Sequence, residues 1–228
     1  WTSRRPADYK SAIRQLENLR SELGRLVPQP NPPNGGHCMN SVSYFELLKL
    51  AAPETILVLA ALAVLAVDLL VMREEPIRHR FMIGAAVSGL GCLLAIFWMV
   101  NVDQHETVQN GMLVIDPLTR GMKGALLALT ALTVLMSIER NFTIHVGEYL
   151  ALILLATVGM MFLVSAEEIL MIFLALELTS LSLYVLTAFN KQNVHSAEAA
   201  LKYFLFGGMA AAFTLFGLSL IYGLSGAT

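Results

Sequence analysis

Residues Ile169–Phe189 read ILMIFLALELTSLSLYVLTAF, 21 positions with a single charge at Glu177. A helix of that length spans the roughly 30 Å hydrocarbon core of a bilayer. A carboxylate near its middle costs about 2.5–3.5 kcal/mol on insertion scales, which marks it as a functional candidate. The next apolar run, Ala199–Thr228, again holds one charge, Lys202, 25 positions after Glu177. An acid and a base on consecutive membrane helices point to proton or ion handling.

Working outward, length and scarcity of charge predict six membrane helices, at about 53–72, 81–100, 121–138, 149–166, 168–190 and 197–224. The predicted fold class is therefore all-α, a polytopic transmembrane helix bundle. The first helix carries Glu54 at its mouth, just after Pro53, and Asp68 near its far end; the second has no charge, and the third has Lys123 near its start. Composition agrees: 56% of residues are hydrophobic and 14% charged, against about 25% charged in soluble domains, and mean hydropathy is +0.65. A formal net charge of -2 excludes nucleic acid as an expected partner. Cys38 and Cys92 lack metal-ligand spacing, and the chain has no C-x-x-C, Gly-rich phosphate loop or His cluster. No metal or cofactor site is expected here, so any cofactor would be held by a partner chain.

Residues 1–38 differ from the rest. Ile13, Leu16, Leu23 and Leu26 recur at spacings of three and seven, which predicts an amphipathic helix over roughly 11–27. The segment from Pro28 to Gly36, PQPNPPNGG, reads as a linker. The expected division is a polar basic extension over 1–38, outside the membrane domain, and a transmembrane domain over 39–228, with Met39 as a natural start. Arg73, Arg78 and Arg80, Arg140 and Lys191 fall between helices on one side, which the positive-inside rule makes cytoplasmic. Lys49, Arg120 and Lys123 lie on the other side, as does the basic extension, which opposes that orientation.

Low-dielectric surroundings penalise the charged form of an acid or a base, and an opposite charge nearby restores it. A small change in separation between the two can therefore move a proton. By helical rise, Glu177 lies roughly 18 Å and Lys202 roughly 10 Å from the cytoplasmic ends of their helices, so a water chain between them is allowed for. Structural alternatives stand beside this reading. Glu198 precedes Lys202 by four positions, the favoured order for an intrahelical ion pair, and lysine can also snorkel to the interface. Thr179, Ser180 or Tyr184 offer hydrogen bonds that would hold a neutral Glu177 as a packing group. Asp68 can reach headgroups or Arg73, and Glu54 fits the positive end of a helix dipole. His145 and His195 are placed in short cytoplasmic loops as secondary candidates for proton uptake. Gly207, Gly208, Ala210, Ala211, Ala212 and Gly217 read as close helix packing.

The block Leu176-Glu177-Leu178-Thr179-Ser180-Leu181-Ser182-Leu183-Tyr184-Val185-Leu186 resembles the fifth-helix signature of subunit N of proton-pumping NADH–quinone oxidoreductase (respiratory complex I). Ser196-Ala197-Glu198-Ala199-Ala200-Leu201-Lys202-Tyr203-Phe204, followed by Gly207, Gly217 and Tyr222-Gly223, resembles the sixth helix of the same antiporter-like family. The resemblance covers about 39–228. It implies the N-terminal portion of a membrane-arm subunit with about fourteen helices in two inverted repeats, truncated here and inactive as an isolated fragment. Glu177 and Lys202 would belong to a proton half-channel, with Glu198, His195 and Asp68 as secondary candidates. NADH, FMN, iron–sulfur clusters and quinone would be handled by partner subunits. Expected partners are the other complex I membrane subunits and lipid, in a bacterial inner membrane rather than an organellar one. A cation/proton antiporter or membrane-bound hydrogenase subunit of the same fold, and a six-helix scaffold without transport, remain the alternatives.

Overall fold

The computed structural model describes residues 51–70, 76–101, 113, 116–138, 145–190 and 192–225, all within one compact unit, Ser43–Thr228. The extension over 1–38, its helix at 11–27, Cys38, Lys49, Arg73, Arg140 and Lys191 lie outside the described residues. Six helices make up the described part: α1 (Ala52–Leu70), α2 (Ile77–Asn101), α3 (Pro117–Ser137), α4 (Val146–Ser165), α5 (Ile169–Thr187) and α6 (Val194–Ser225). Each is long and apolar enough to cross a membrane. The all-α bundle expected from the sequence is the one found.

Boundaries moved for a physical reason. A search for uncharged runs stops at the first charge, whereas a helix continues into the interface where charged side chains are solvated. So α2 begins at Ile77, directly after Pro76, and takes Arg78 and Arg80 into its first turn instead of leaving them in a loop. Likewise α3 begins at Pro117, whose missing N–H is no loss at the first helical position, and α6 begins at Val194 and absorbs His195. His145 is the N-cap of α4.

The hub of the bundle is α4. Its span is 56% buried, against 17% for α5 and none for α6; α4 packs on α1, α2, α3 and α5, while α6 packs on α5 alone. Leu57, Ala60 and Ala61 of α1, Cys92 and Ala95 of α2, Leu127 of α3 and Leu154, Val158 and Met161 of α4 form one apolar cluster. A second gathers Val64, Phe81, Ala85, Val134, Val146 and Leu150 nearer the other end. In a bilayer such packing rests on close van der Waals fit, because lipid is as apolar as leucine. Small residues supply the fit: Gly91 lies against Ala60, Gly159 against Ala175 and Thr179, and Gly207 against the Tyr184 hydroxyl. The expectation for α6 needs correcting here. Gly208 and Gly217 face open space, Ala210 and Ala212 are exposed and Ala211 is half-buried, so among the glycines of that stripe only Gly207 makes a close approach.

Candidate functional site

Consecutive helices run antiparallel, which gives the bundle two ends. The starts of α1, α3 and α5 share one end; the starts of α2, α4 and α6 share the other. Charged side chains gather at both, with Glu177 between them.

At the α2/α4/α6-start end, Asp68 from the last turn of α1 meets Arg80 from the first turn of α2. Nε of Arg80 donates to Oδ1 at 2.7 Å and Nη2 donates to Oδ2 at 2.6 Å, a two-pronged pairing suited to the planar guanidinium. Gly147 N–H of α4 donates to the same Oδ2 at 3.0 Å. The His145 side chain makes no cap bond to α4, so Asp68 satisfies one of that helix's free N–H groups from across the bundle. Asp68 thus has a defined structural partner, Arg80, one that the sequence reading passed over for Arg73. The signal was available: positions 68 and 80 sit at matching depths on either side of the first turn between helices.

At the opposite end, Glu54 of α1 and Lys123 of α3 are both buried, at 1% and 4% exposure. Nζ of Lys123 donates to Oε1 of Glu54 at 2.5 Å, while Oε2 of Glu54 is buried with no hydrogen-bond partner. The sequence reading put Glu54 on its own helix dipole and left Lys123 near a helix end. It placed the starts of helices one and three on the same side but did not pair the early charges, which reach the same depth. Close by, Arg120 donates to the Met99 carbonyl at the end of α2, and Leu113 bridges to Ala166 at the end of α4.

Glu177 is half-buried near the middle of α5. Among the described residues no hydrogen bond or ion pair reaches it. Thr179 instead donates to the Ala175 carbonyl at 3.0 Å, Ser182 to Leu178 at 2.9 Å, and the Tyr184 ring packs edge-on against Tyr203 and Phe204 of α6. The hydrogen bonds that were to hold Glu177 as a packing group are therefore not made. Lys202 is exposed and bonded to Glu198 at 2.5 Å, the i,i+4 pair read from the sequence. Glu177 and Lys202 do not touch. His195 is exposed in the first turn of α6, and its backbone N–H donates to Asn193 Oδ1 at 2.9 Å, a side-chain cap on the helix start. His145 pairs with Glu148 at 3.4 Å. Among the described residues no three His, Cys, Asp or Glu side chains gather as a metal site. A groove of about 500 Å³ opens between α3, α4 and α5, beside the Thr130–Thr157 hydroxyl pair, and does not include Glu177.

Comparison with known proteins places this architecture. The family model described as NADH:quinone oxidoreductase/Mrp antiporter, transmembrane region, matches residues 166–228, which hold α5 and α6. NADH-quinone oxidoreductase subunit N 2 of Acidobacterium capsulatum is 47% identical over 197 residues, covering 82% of this chain and 40% of that protein. NAD(P)H-quinone oxidoreductase subunit 2 of a Picosynechococcus species is 39% identical over 178 residues, covering 76% of this chain and 33% of that one. Among solved structures, respiratory complex I from Thermus thermophilus with bound aureothin matches with a TM-score of 0.56 and 28% identity, over 77% of this chain and 37% of the matched one. An archaeal membrane-bound sulfane sulfur reductase shares the fold, with a TM-score of 0.62 at 23% identity over 78% of this chain and 38% of its own. The chain spans about 40% of the length of the first of these curated relatives. By sequence and by fold, this multi-pass membrane chain is similar to part of the antiporter-like membrane subunits, subunit N of NADH-quinone oxidoreductase among them.

Proposed function

We propose that this chain is part of a membrane-arm subunit that translocates protons as electrons pass from NADH to quinone. The observation that carries the reading is Glu177: a carboxylate with no partner among the described residues, half-buried on a membrane-spanning helix that is otherwise uncharged. An unpaired acid at that depth is costly to keep, and proton exchange is the chemistry that rewards it. Lys202 is the neighbouring base. Glu198 holds it at one end of α6 beside exposed His195, an arrangement suited to receiving protons from the cytoplasmic side and passing them inward through water. Asp68, by contrast, is committed to Arg80 and Gly147 and takes a structural part. NADH, FMN, iron–sulfur clusters and quinone belong to partner subunits, and the assembly sits with lipid in a bacterial inner membrane.

The test is Glu177→Gln in the assembled oxidoreductase, read as protons pumped per NADH oxidised in inverted membrane vesicles. Pumping is expected to fall several-fold with assembly intact; unchanged pumping overturns the role given to Glu177. The matched family model also covers Mrp antiporters, which favours a second reading as a subunit of a cation/proton antiporter. That reading predicts sodium-driven proton exchange in vesicles without NADH, which the first does not.

A further inference from the structure

The two buried ion pairs among the described residues are built differently, and the difference points to a task for one of them. A buried pair stabilises a protein only when its geometry is good and further hydrogen bonds satisfy the remaining lone pairs and protons. Asp68–Arg80 meets that condition. Both carboxylate oxygens are bonded, Arg80 fits both prongs, and a backbone N–H adds a third bond. Glu54–Lys123 does not. One oxygen holds Nζ at 2.5 Å, and the other is buried and unpartnered. Nor does the pair clamp neighbouring helices, because α1 and α3 do not pack backbone to backbone; each leans on α2 and α4. An orphaned buried carboxylate oxygen in a membrane helix calls for an explanation other than stability.

We propose that Glu54 and Lys123 form a second proton-exchanging pair, at the end of the bundle opposite Glu198–Lys202, with Oε2 of Glu54 as its port to water. The proposal rests on the proton-translocating reading above. The step balances simply. Transfer along the 2.5 Å contact breaks one N–H bond of Lys123 and makes one O–H bond on Glu54, and the pair passes from two opposite charges to a neutral amine and a neutral acid. The neutral carboxyl group then turns to bring its protonated oxygen to the port, and release of that proton to a water there leaves a carboxylate and a neutral amine, net -1, until Lys123 takes a proton from water. A lysine suits this because its amine can lose a proton, which an arginine does not do in proteins.

Two variants in the assembled oxidoreductase test it. Lys123→Arg keeps the positive charge but cannot hand over its proton. Glu54→Gln with Lys123→Met removes both charges together, so no lone charge is left buried. Each should assemble and oxidise NADH, and each should pump several-fold fewer protons per NADH. Wild-type pumping in both overturns the proposal. So does failure of both to assemble, because that outcome makes the pair a structural tie. Glu177→Gln in the same assay keeps the two ideas apart: loss of pumping there, with full pumping in the Glu54 and Lys123 variants, rejects only this inference. Full pumping in Glu177→Gln removes the reading on which it rests.

Discussion

Asp68→Ala is expected to destabilise the bundle by about 3–5 kcal/mol, the usual cost of removing one partner from a buried ion pair. The side chains of Asp68 and Arg80 are only 9% and 11% exposed, so water does little to compensate Arg80 once its carboxylate is gone. The loss also strips the Gly147 N–H of its acceptor at the start of α4, the helix on which most of the others pack. The measurement is the thermal denaturation midpoint of the detergent-purified protein, compared with wild type. Asp68→Ala combined with Arg80→Leu should recover part of the loss, because replacing both members with apolar groups removes the stranded charge. No recovery in the double variant would mean that the Gly147 bond, rather than the ion pair, carries the effect.

The second large effect is expected at Gly159→Ala. A Cβ there would stand 2.8 Å from the Thr179 backbone nitrogen and 3.0 Å from the Ala175 carbonyl oxygen, with the Thr179 hydroxyl closer still. Two of those neighbours are backbone, so α4 and α5 must move apart. Overpacking of this kind costs about 1–3 kcal/mol. Thr179→Ala should rescue it only in part, because it clears the hydroxyl and leaves the backbone in place. Gly89→Ala is the control: nothing lies within 4 Å of a Cβ at that position, so stability should hold. Thr179 is two residues from Glu177, so under the function proposed above proton pumping should fall together with the denaturation midpoint.

The number, order and approximate span of the helices were legible because hydrocarbon imposes a length and forbids charge, and both show in a single sequence. The helix starts were less legible at α2 and α6, where Arg78, Arg80 and His195 continue the helix past its apolar part. Within the site, the Glu198–Lys202 pair was readable from an i,i+4 spacing, since both partners share one helix. Asp68–Arg80 and Glu54–Lys123 join residues 12 and 69 positions apart, and pairing across helices depends on rotation about each axis, which spacing does not encode. Depth was the clue left unused: charges at equal distance from the same face of the bundle are candidates to meet. Glu177 stood out for the converse reason, since no other charge shares its helix.

The Asp68 bond to Gly147 also has a bearing on how the chain enters a membrane. The Gly147 N–H at the start of α4 finds its acceptor, Asp68, on α1, and that acceptor is held in place by Arg80 of α2. Until α1 and α2 are seated, that donor of the incoming α4 is left to interfacial water. In the finished bundle α1 and α2 thus form a dock for the start of α4, and α4 is the post on which α3 and α5 hang.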